Sequence, residues 1–333
     1  MTGVQTCALP ISLIGSLVVL ALPYALAQNG PTLVGTGYNG DVQVSGLDLP
    51  SIVIAPGQVT TLQVVGLKAI QPDLPSKATT IPLPTSLSGV SVTINQNFAS
   101  GPVSFAAPLF SVSQVTLCPS LASPTPDCLR TLITLQIPFE LVLNPAIIGP
   151  VDIVISQHGL SSKAFGVNIT FDSIHIVTGC AASAYSTCVT HADGTAVAPR
   201  SPAHAGETVV VYAYGLGATS DLVKTGTATP ITAPTVVPKN FPVTVQFDFT
   251  PNARPWQYRL FDFGGNVSDA APEFAGLTPG FVGLYQLNVK LPGTFPAISA
   301  CNGIQIASNL LINIRINSWD GAPICVEPTA LPH

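Results

Sequence analysis

Several stretches of the chain alternate apolar and polar residues with a period of two. Val90, Val92 and Ile94 alternate with Ser91, Thr93 and Asn95, and Val243, Val245, Phe247 and Phe249 alternate with Thr244, Gln246, Asp248 and Thr250. Tyr285, Leu287, Val289 and Leu291 alternate with Gln286, Asn288 and Lys290, and Ile312, Ile314 and Ile316 with Asn313, Arg315 and Asn317. Successive side chains of a strand point to opposite faces, so each stretch predicts a strand with one dry and one wet face. Shorter β-rich runs at Leu109–Val115, Leu132–Ile137, Val151–Ile155 and Val167–Phe171 are separated by turn residues. Short strands at that spacing predict a sandwich or barrel. No segment sustains apolar residues at helical spacing, and Pro recurs too often for long helices. The expectation is an all-β fold whose sheets bury their dry faces against each other.

The pattern also repeats. Gly57 to Leu67 reads Gly-Gln-Val-Thr-Thr-Leu-Gln-Val-Val-Gly-Leu, and Gly206 to Gly217 reads Gly-Glu-Thr-Val-Val-Val-Tyr-Ala-Tyr-Gly-Leu-Gly. Gly206 follows Gly57 by 149 positions, and Lys290-Leu291-Pro292 follows Gln136-Ile137-Pro138 by 154. A nearly constant offset over such a span indicates tandem duplication. The Gly-rich segment 28–48 is expected to be a flexible leader, and the repeat predicts a first sandwich over 49–175, a linker over 176–200 and a second sandwich over 201–333. The repeated glycines are expected to serve turn geometry or close packing.

Met1 to Ile11 reads as the translation of a sequencing-library adapter, and is set aside from fold reasoning as a fusion scar would be. Residues 12–27 form an uncharged, mostly apolar run ending Ala25-Leu26-Ala27, the small-x-small pattern of a signal peptidase site. Interrupted by Pro23, the run is short for a membrane span of roughly 20 residues. Export is therefore expected, to the cell surface or the medium, with no membrane span left after cleavage. Six cysteines remain beyond Cys7, an even number in an exported chain, which favours disulfides over metal thiolates. Six allow 15 pairings. Neighbours are expected to pair, Cys118 with Cys128, Cys180 with Cys188 and Cys301 with Cys325, because each pair brackets a loop rich in Pro, Ser or Gly.

Composition narrows the function classes. Only 8% of residues are charged while 47% are hydrophobic, so the chain can bury a core. A net charge of −5 without a basic run gives no footprint for nucleic acid. Gly35-Thr-Gly-Tyr-Asn-Gly40 satisfies G-x-G-x-x-G, but a dinucleotide site needs a strand before it and a helix after it. No cofactor is expected. Neither G-x-S-x-G nor H-E-x-x-H occurs, and His158, His175, His191, His204 and His333 are dispersed. His191-Ala192-Asp193 alone puts two potential ligands together, and a turn at Asp193-Gly194 explains Asp193 equally well. No metal site and no catalytic residue is expected.

Several blocks carry a family resemblance. In the first half they are Ala55-Pro-Gly57 with Val64-Val-Gly66-Leu67, Pro82-Leu-Pro-Thr-Ser-Leu-Ser-Gly-Val-Ser-Val-Thr-Ile-Asn95, Ala107-Pro-Leu-Phe110 and Gln136-Ile-Pro138. In the second they are Pro202 to Tyr212, Gly215-Leu-Gly217, and Ala275 through Pro292. Together, from about Leu49 to Ile316, they resemble the uncharacterised C-terminal domain abundant in secreted acidobacterial proteins. Each half is similar to an IPT/TIG-type immunoglobulin-like β-sandwich. The resemblance implies that fold in tandem and supplies no catalytic residues. Cys118–Arg130 stands as an insertion relative to the family, and Thr250–Asp269 as an extension.

That extension holds the strongest binding candidates. Trp256, Tyr258 and Phe261, beside Arg254 and Arg259, offer flat apolar faces with polar handles, as sugar-binding or protein-binding surfaces require. The competing reading is a hairpin whose aromatics pack on the sandwich. The expected function is non-catalytic, in surface adhesion or matrix assembly, with an extracellular protein or glycan as partner. A carbohydrate-binding module using the loop around Trp256 and an extracellular hydrolase are the alternatives.

Overall fold

The computed structural model describes residues 30–37, 52–70, 76–98, 100–116, 128–143, 151–180, 187–237, 241–254 and 270–329. Its regular elements are all strands. The first half carries β1 (Thr32–Gly37), β2 (Val53–Ile54), β3 (Val59–Val65), β4 (Ser76–Lys77), β5 (Ser86–Leu87), β6 (Val90–Phe98), β7 (Gly101–Ala106), β8 (Leu109–Thr116), β9 (Leu129–Gln136), β10 (Val151–Gln157), β11 (Leu160–Ser161) and β12 (Phe165–Ile169). The second carries β13 (His175–Ile176), β14 (Val189–Thr190), β15 (Thr208–Tyr214), β16 (Thr244–Asp248), β17 (Phe274–Leu277), β18 (Tyr285–Lys290), β19 (Leu310–Arg315) and β20 (Trp319–Ile324).

In the first half, sheet β1-β3-β9-β8-β4 faces sheet β2-β12-β10-β6-β5, with β7 added to β6 and β11 to β10. Leu62, Val64, Ile133 and Leu135 from one sheet and Val92, Ile94, Ile153 and Ile155 from the other share one buried cluster. The second half repeats the plan with sheets β13-β15-β18-β17 and β16-β19-β20 around Val209, Val211, Tyr285, Leu287, Ile312 and Ile314. Each fully buried aliphatic side chain contributes about 1.5–3 kcal/mol. The alternation predicted for β6 and β18 is observed residue by residue. β19 differs: as the middle strand of its sheet it buries its expected wet position Asn313 as well, together with Leu311.

The correspondence between the halves extends to individual hydrogen bonds. Val59 faces Gln136 across β3 and β9, and Thr208 faces Lys290 across β15 and β18, at the offsets read from sequence. Ile137 N donates to the Gln58 carbonyl (2.7 Å) and Leu291 N to that of Glu207 (2.8 Å). Gly57 and Gly206 both adopt positive φ, 73° and 72°, which only glycine tolerates cheaply in these turns. β2 runs parallel to β12, and Ala203 forms a parallel bridge with Val326. In each half the segment before the repeated glycine thus joins the last strand in parallel.

This equivalence revises two boundaries. In the first half β1 pairs with β3, Leu33 opposite Val64; in the second β13 pairs with β15, Ile176 opposite Ala213. The segment expected as a flexible leader and the one expected as a linker therefore both supply a strand alongside the opening one. Within the leader, Leu33, Gly35 and Gly37 occupy the buried positions of β1. Glycine content signalled flexibility, whereas two of these glycines are strand positions facing inward. The G-x-G of Gly35 to Gly37 accordingly lies in a strand and not in a strand-to-helix turn, so the dinucleotide geometry is absent there. Ile176 and Val189, in the expected linker, are buried in the second core.

The two halves are joined by more than the chain. Phe139, just after β9, belongs to the buried cluster of the second half. Its ring fills the space where a Cβ on Gly57 would stand. Gly215 and Gly217 lie so close to the chain leaving β12 that added Cβ atoms would overlap the carbonyl oxygens of Ser173 and Phe171. Both roles expected for these glycines are seen here, since Gly215 and Gly217 combine close packing with positive φ, 73° and 90°. Between those carbonyls, Asp172 is buried and accepts hydrogen bonds from Asn317 N (3.2 Å), Asn317 Nδ2 (2.5 Å), Ser318 N (2.7 Å) and Ser318 Oγ (2.6 Å). On the other flank, buried Gln136 accepts from Gly226 N at 2.7 Å and Thr225 Oγ1 donates to Glu140 at 2.5 Å.

Candidate functional site

Arg254 is exposed at the root of the extension that follows β16; Trp256, Tyr258, Arg259 and Phe261 lie outside the described residues. The root itself is held firmly. Asn252, at φ 55°, accepts Ala307 N (2.8 Å) and donates to the Gln305 carbonyl (2.6 Å). The facing loop is tied by Asn302 Oδ1, which accepts the N–H groups of Ile304, Gln305 and Ile306, and by the Cys301–Cys325 disulfide. Across the extension, Ala270 pairs with Val245 in both directions.

Two of the expected disulfides are present, Cys180–Cys188 and Cys301–Cys325. Cys128 is also disulfide-bonded, and Cys118 lies outside the described residues.

The histidines fall into separate settings. His158 takes a positive φ of 48°, and its ring packs over Gly89. His204 Nδ1 meets Glu327 at 2.8 Å on the surface. His175 faces Asp320 at 3.5 Å in the second core's margin, where Asp320 also accepts Ile176 N and Gly321 N, each at 2.8 Å. Burial lowers His175 to about 4 and raises Asp320 to about 6. No group of three or more potential metal ligands occurs among the described residues.

His191 is organised differently. Two tight turns carry it and Ser201. His191 opens the first, with Gly194 at φ 86° and Gly194 N bonded to the His191 carbonyl at 3.0 Å. The second is Ala198-Pro199-Arg200-Ser201, closed by Ser201 N to the Ala198 carbonyl at 2.9 Å, with Pro at the corner position its fixed φ suits. The turns place His191 Nε2 at 3.2 Å from Ser201 Oγ and 3.1 Å from the Ser201 carbonyl, while Nδ1 lies 2.5 Å from Glu207 Oε1. Burial works against a charge on His191, but the Glu207 hydrogen bond, the Ser201 carbonyl and the Glu207 and Asp193 charges outweigh it, and its pKa is raised. Asp193 is the turn residue sequence allowed for: its Oδ1 accepts Thr195 N (2.9 Å) and Thr195 Oγ1 (2.6 Å). The pairing sequence reasoning missed is His191 with Glu207 and Ser201, 16 and 10 positions away.

A cleft of about 250 Å³ lies at the junction of the halves. Phe139, Leu141, Phe171, Leu216 and Ile316 supply apolar walls, with Asp172 and Asn317 at one side. The carboxylate and amide of that pair are hydrogen-bonded to each other, so each already has a partner.

No helix among the described residues is long and apolar enough to cross a membrane, which leaves strands unaddressed. No family model matches the chain, and no curated protein matches it. Among solved structures, the Streptococcus agalactiae AgI/II polypeptide BspA C-terminal domain aligns with 90% of this chain and 99% of its own at 11% identity and a TM-score of 0.16. A superposition that loose carries no argument.

Proposed function

We propose that the protein is an exported pair of immunoglobulin-like sandwiches of the IPT/TIG type, acting in adhesion or matrix assembly at or beyond the cell surface. The observation that carries this reading is the junction. Asp172 with its four donors and the glycine contacts at 171–173 hold the halves in one orientation, as a load-transmitting spacer requires and a flexible tether does not. The strand order supports the immunoglobulin-like assignment: β1-β3-β9-β8 against β12-β10-β6 follows the arrangement of such sandwiches, with the short β2 parallel to β12. The disulfides favour an oxidising compartment.

The test is attachment. Surfaces coated with the mature chain should retain producing cells or their envelope material above a surface coated with an unrelated β-sandwich. Equal retention on both would contradict the proposal.

A second reading, glycan binding by the Trp256 loop, draws on the rigid root at Asn252 and the 302–306 loop, which would present such a loop in a fixed pose. A glycan array separates it: sugar-dependent signal from the wild type that Trp256→Ala removes supports it, and no signal from either protein ends it.

A further inference from the structure

We propose that Ser201, His191 and Glu207 form a surface acyl-accepting site, in which Ser201 takes up the acyl group of an activated ester. The geometry is that of a nucleophile, a base and an orienting carboxylate in sequence: Ser201 Oγ to His191 Nε2 at 3.2 Å, and His191 Nδ1 to Glu207 Oε1 at 2.5 Å. An ionised carboxylate only accepts, so Glu207 fixes a proton on Nδ1. In neutral His191 the other nitrogen, Nε2, is then an acceptor and faces the Ser201 hydroxyl; in the charged ring it donates instead to the Ser201 carbonyl at 3.1 Å. Ser201 is exposed, so an ester reaches it from solvent, while the His191 and Glu207 side chains retain only 13% and 19% exposure. Their hydrogen bond is therefore partly shielded from competing water.

The duplication shows that this carboxylate exceeds what the turn needs. Gln58 occupies the corresponding place in the first half, and its Oε1 accepts Ala55 N at 2.8 Å, as Glu207 Oε2 accepts His204 N at 2.8 Å. One neutral amide oxygen satisfies the turn. Glu207 performs that task with one oxygen and directs the other, with its charge, at His191. The position matching Ser201 at the same offset is Ile52, so the site is confined to the second half.

Ser201 Oγ bonds to the ester carbonyl carbon as its proton passes to His191 Nε2. The bond from that carbon to the leaving oxygen breaks, and the proton passes from Nε2 to the departing aryloxide. The products are acyl-Ser201 and a phenol. Release needs water to attack the acyl group with the same base and to expel a serine alkoxide, a far poorer leaving group than an aryloxide. The acylated protein therefore accumulates, and the site is one of covalent capture that goes beyond the adhesion reading without depending on it.

The full mature chain treated with p-nitrophenyl acetate, and separately with a fluorophosphonate probe, tests this by peptide mapping and by the rate of p-nitrophenol release. Expected is one modification, at Ser201, formed faster as pH rises through the His191 pKa, absent in Ser201→Ala and slowed about a hundredfold in His191→Gln. Glu207→Gln should keep the fold, because it reproduces Gln58, and slow the reaction at least tenfold. Wild-type label found only on lysines, or folded Glu207→Gln reacting as fast as wild type, would overturn the proposal.

Discussion

Asp172 and Ser318 meet across the two halves of the protein: the carboxylate of the first accepts both the backbone N–H (2.7 Å) and the hydroxyl (2.6 Å) of the second. Asp172 is 2% exposed and Asn317 supplies two further donors, so removal of the carboxylate would leave several polar groups at the junction without their acceptor. Hydrogen bonds to charged groups contribute about 1.5–3 kcal/mol each to stability, and the orphaned donors add a cost of their own. Asp172→Ala should lower the unfolding free energy by about 3 kcal/mol and separate a single denaturant transition into two. Urea unfolding followed by fluorescence and far-UV circular dichroism reads both effects.

Gly215→Ala is expected to cost about 3 kcal/mol or more, since the new methyl overlaps the Ser173 carbonyl in a backbone at φ 73° that L-residues disfavour. Gly194→Ala has a similar φ of 86° but open space around the Cβ, so it should cost only the conformational part, about 1–2 kcal/mol. Thermal melts of the two variants separate crowding from backbone preference.

His175 and Asp320 respond to pH in opposite senses. Burial lowers His175 from 6.5 to about 4, so the unfolded chain binds this proton first and stability falls as pH drops between those values. Burial raises Asp320 from 3.8 to about 6, so the folded chain binds that proton first and stability gains as pH drops through nearly the same window. The two contributions oppose, and the pair leaves wild-type stability nearly level between about pH 4 and 6. Asp320→Asn removes the compensating half. Its stability should then fall, relative to wild type, by on the order of 2–3 kcal/mol from pH 6.5 to pH 4, measured by urea midpoints across that range.

Breaking the disulfides should destabilise according to the loop each closes. Chain-entropy reasoning gives about 3.5 kcal/mol for Cys301–Cys325, which spans 24 positions, and about 2.5 kcal/mol for Cys180–Cys188, which spans 8. Paired Cys→Ser variants compared by chemical denaturation test the order. The first should additionally loosen the 302–306 loop, visible as faster amide exchange at Ile304 to Ile306.

Much of the architecture was legible in the sequence because a strand writes its burial at period two. Val90, Val92 and Ile94 are buried and their partners Ser91, Thr93 and Asn95 less so. The recurrent Gly57 and Gly206 marked the same turn in both copies. β1 was hidden because Gly35 and Gly37 read as flexibility, and a glycine facing inward carries no hydrophobic signature. β13 and β14 were hidden because two-residue strands carry no period. The His191 site was not legible because three turns, and no motif, bring Ser201 and Glu207 to the ring. The contrast of Gln58 with Glu207 at equivalent positions was the one available signal, and it needed the repeat to be aligned residue by residue. For the Trp256 loop, sequence identified candidate faces, and only Arg254 at its root is among the described residues.

Asp172, Phe139 and the glycine contacts fix the two halves to one another, and a distance distribution between spin labels placed in each half, at Ser104→Cys on β7 and Lys290→Cys on β18, both exposed positions, reads that directly. Pulsed electron resonance should give one narrow distance peak, which broadens when Asp172→Ala is added. A broad or multiple distribution in the otherwise wild-type chain would contradict the account.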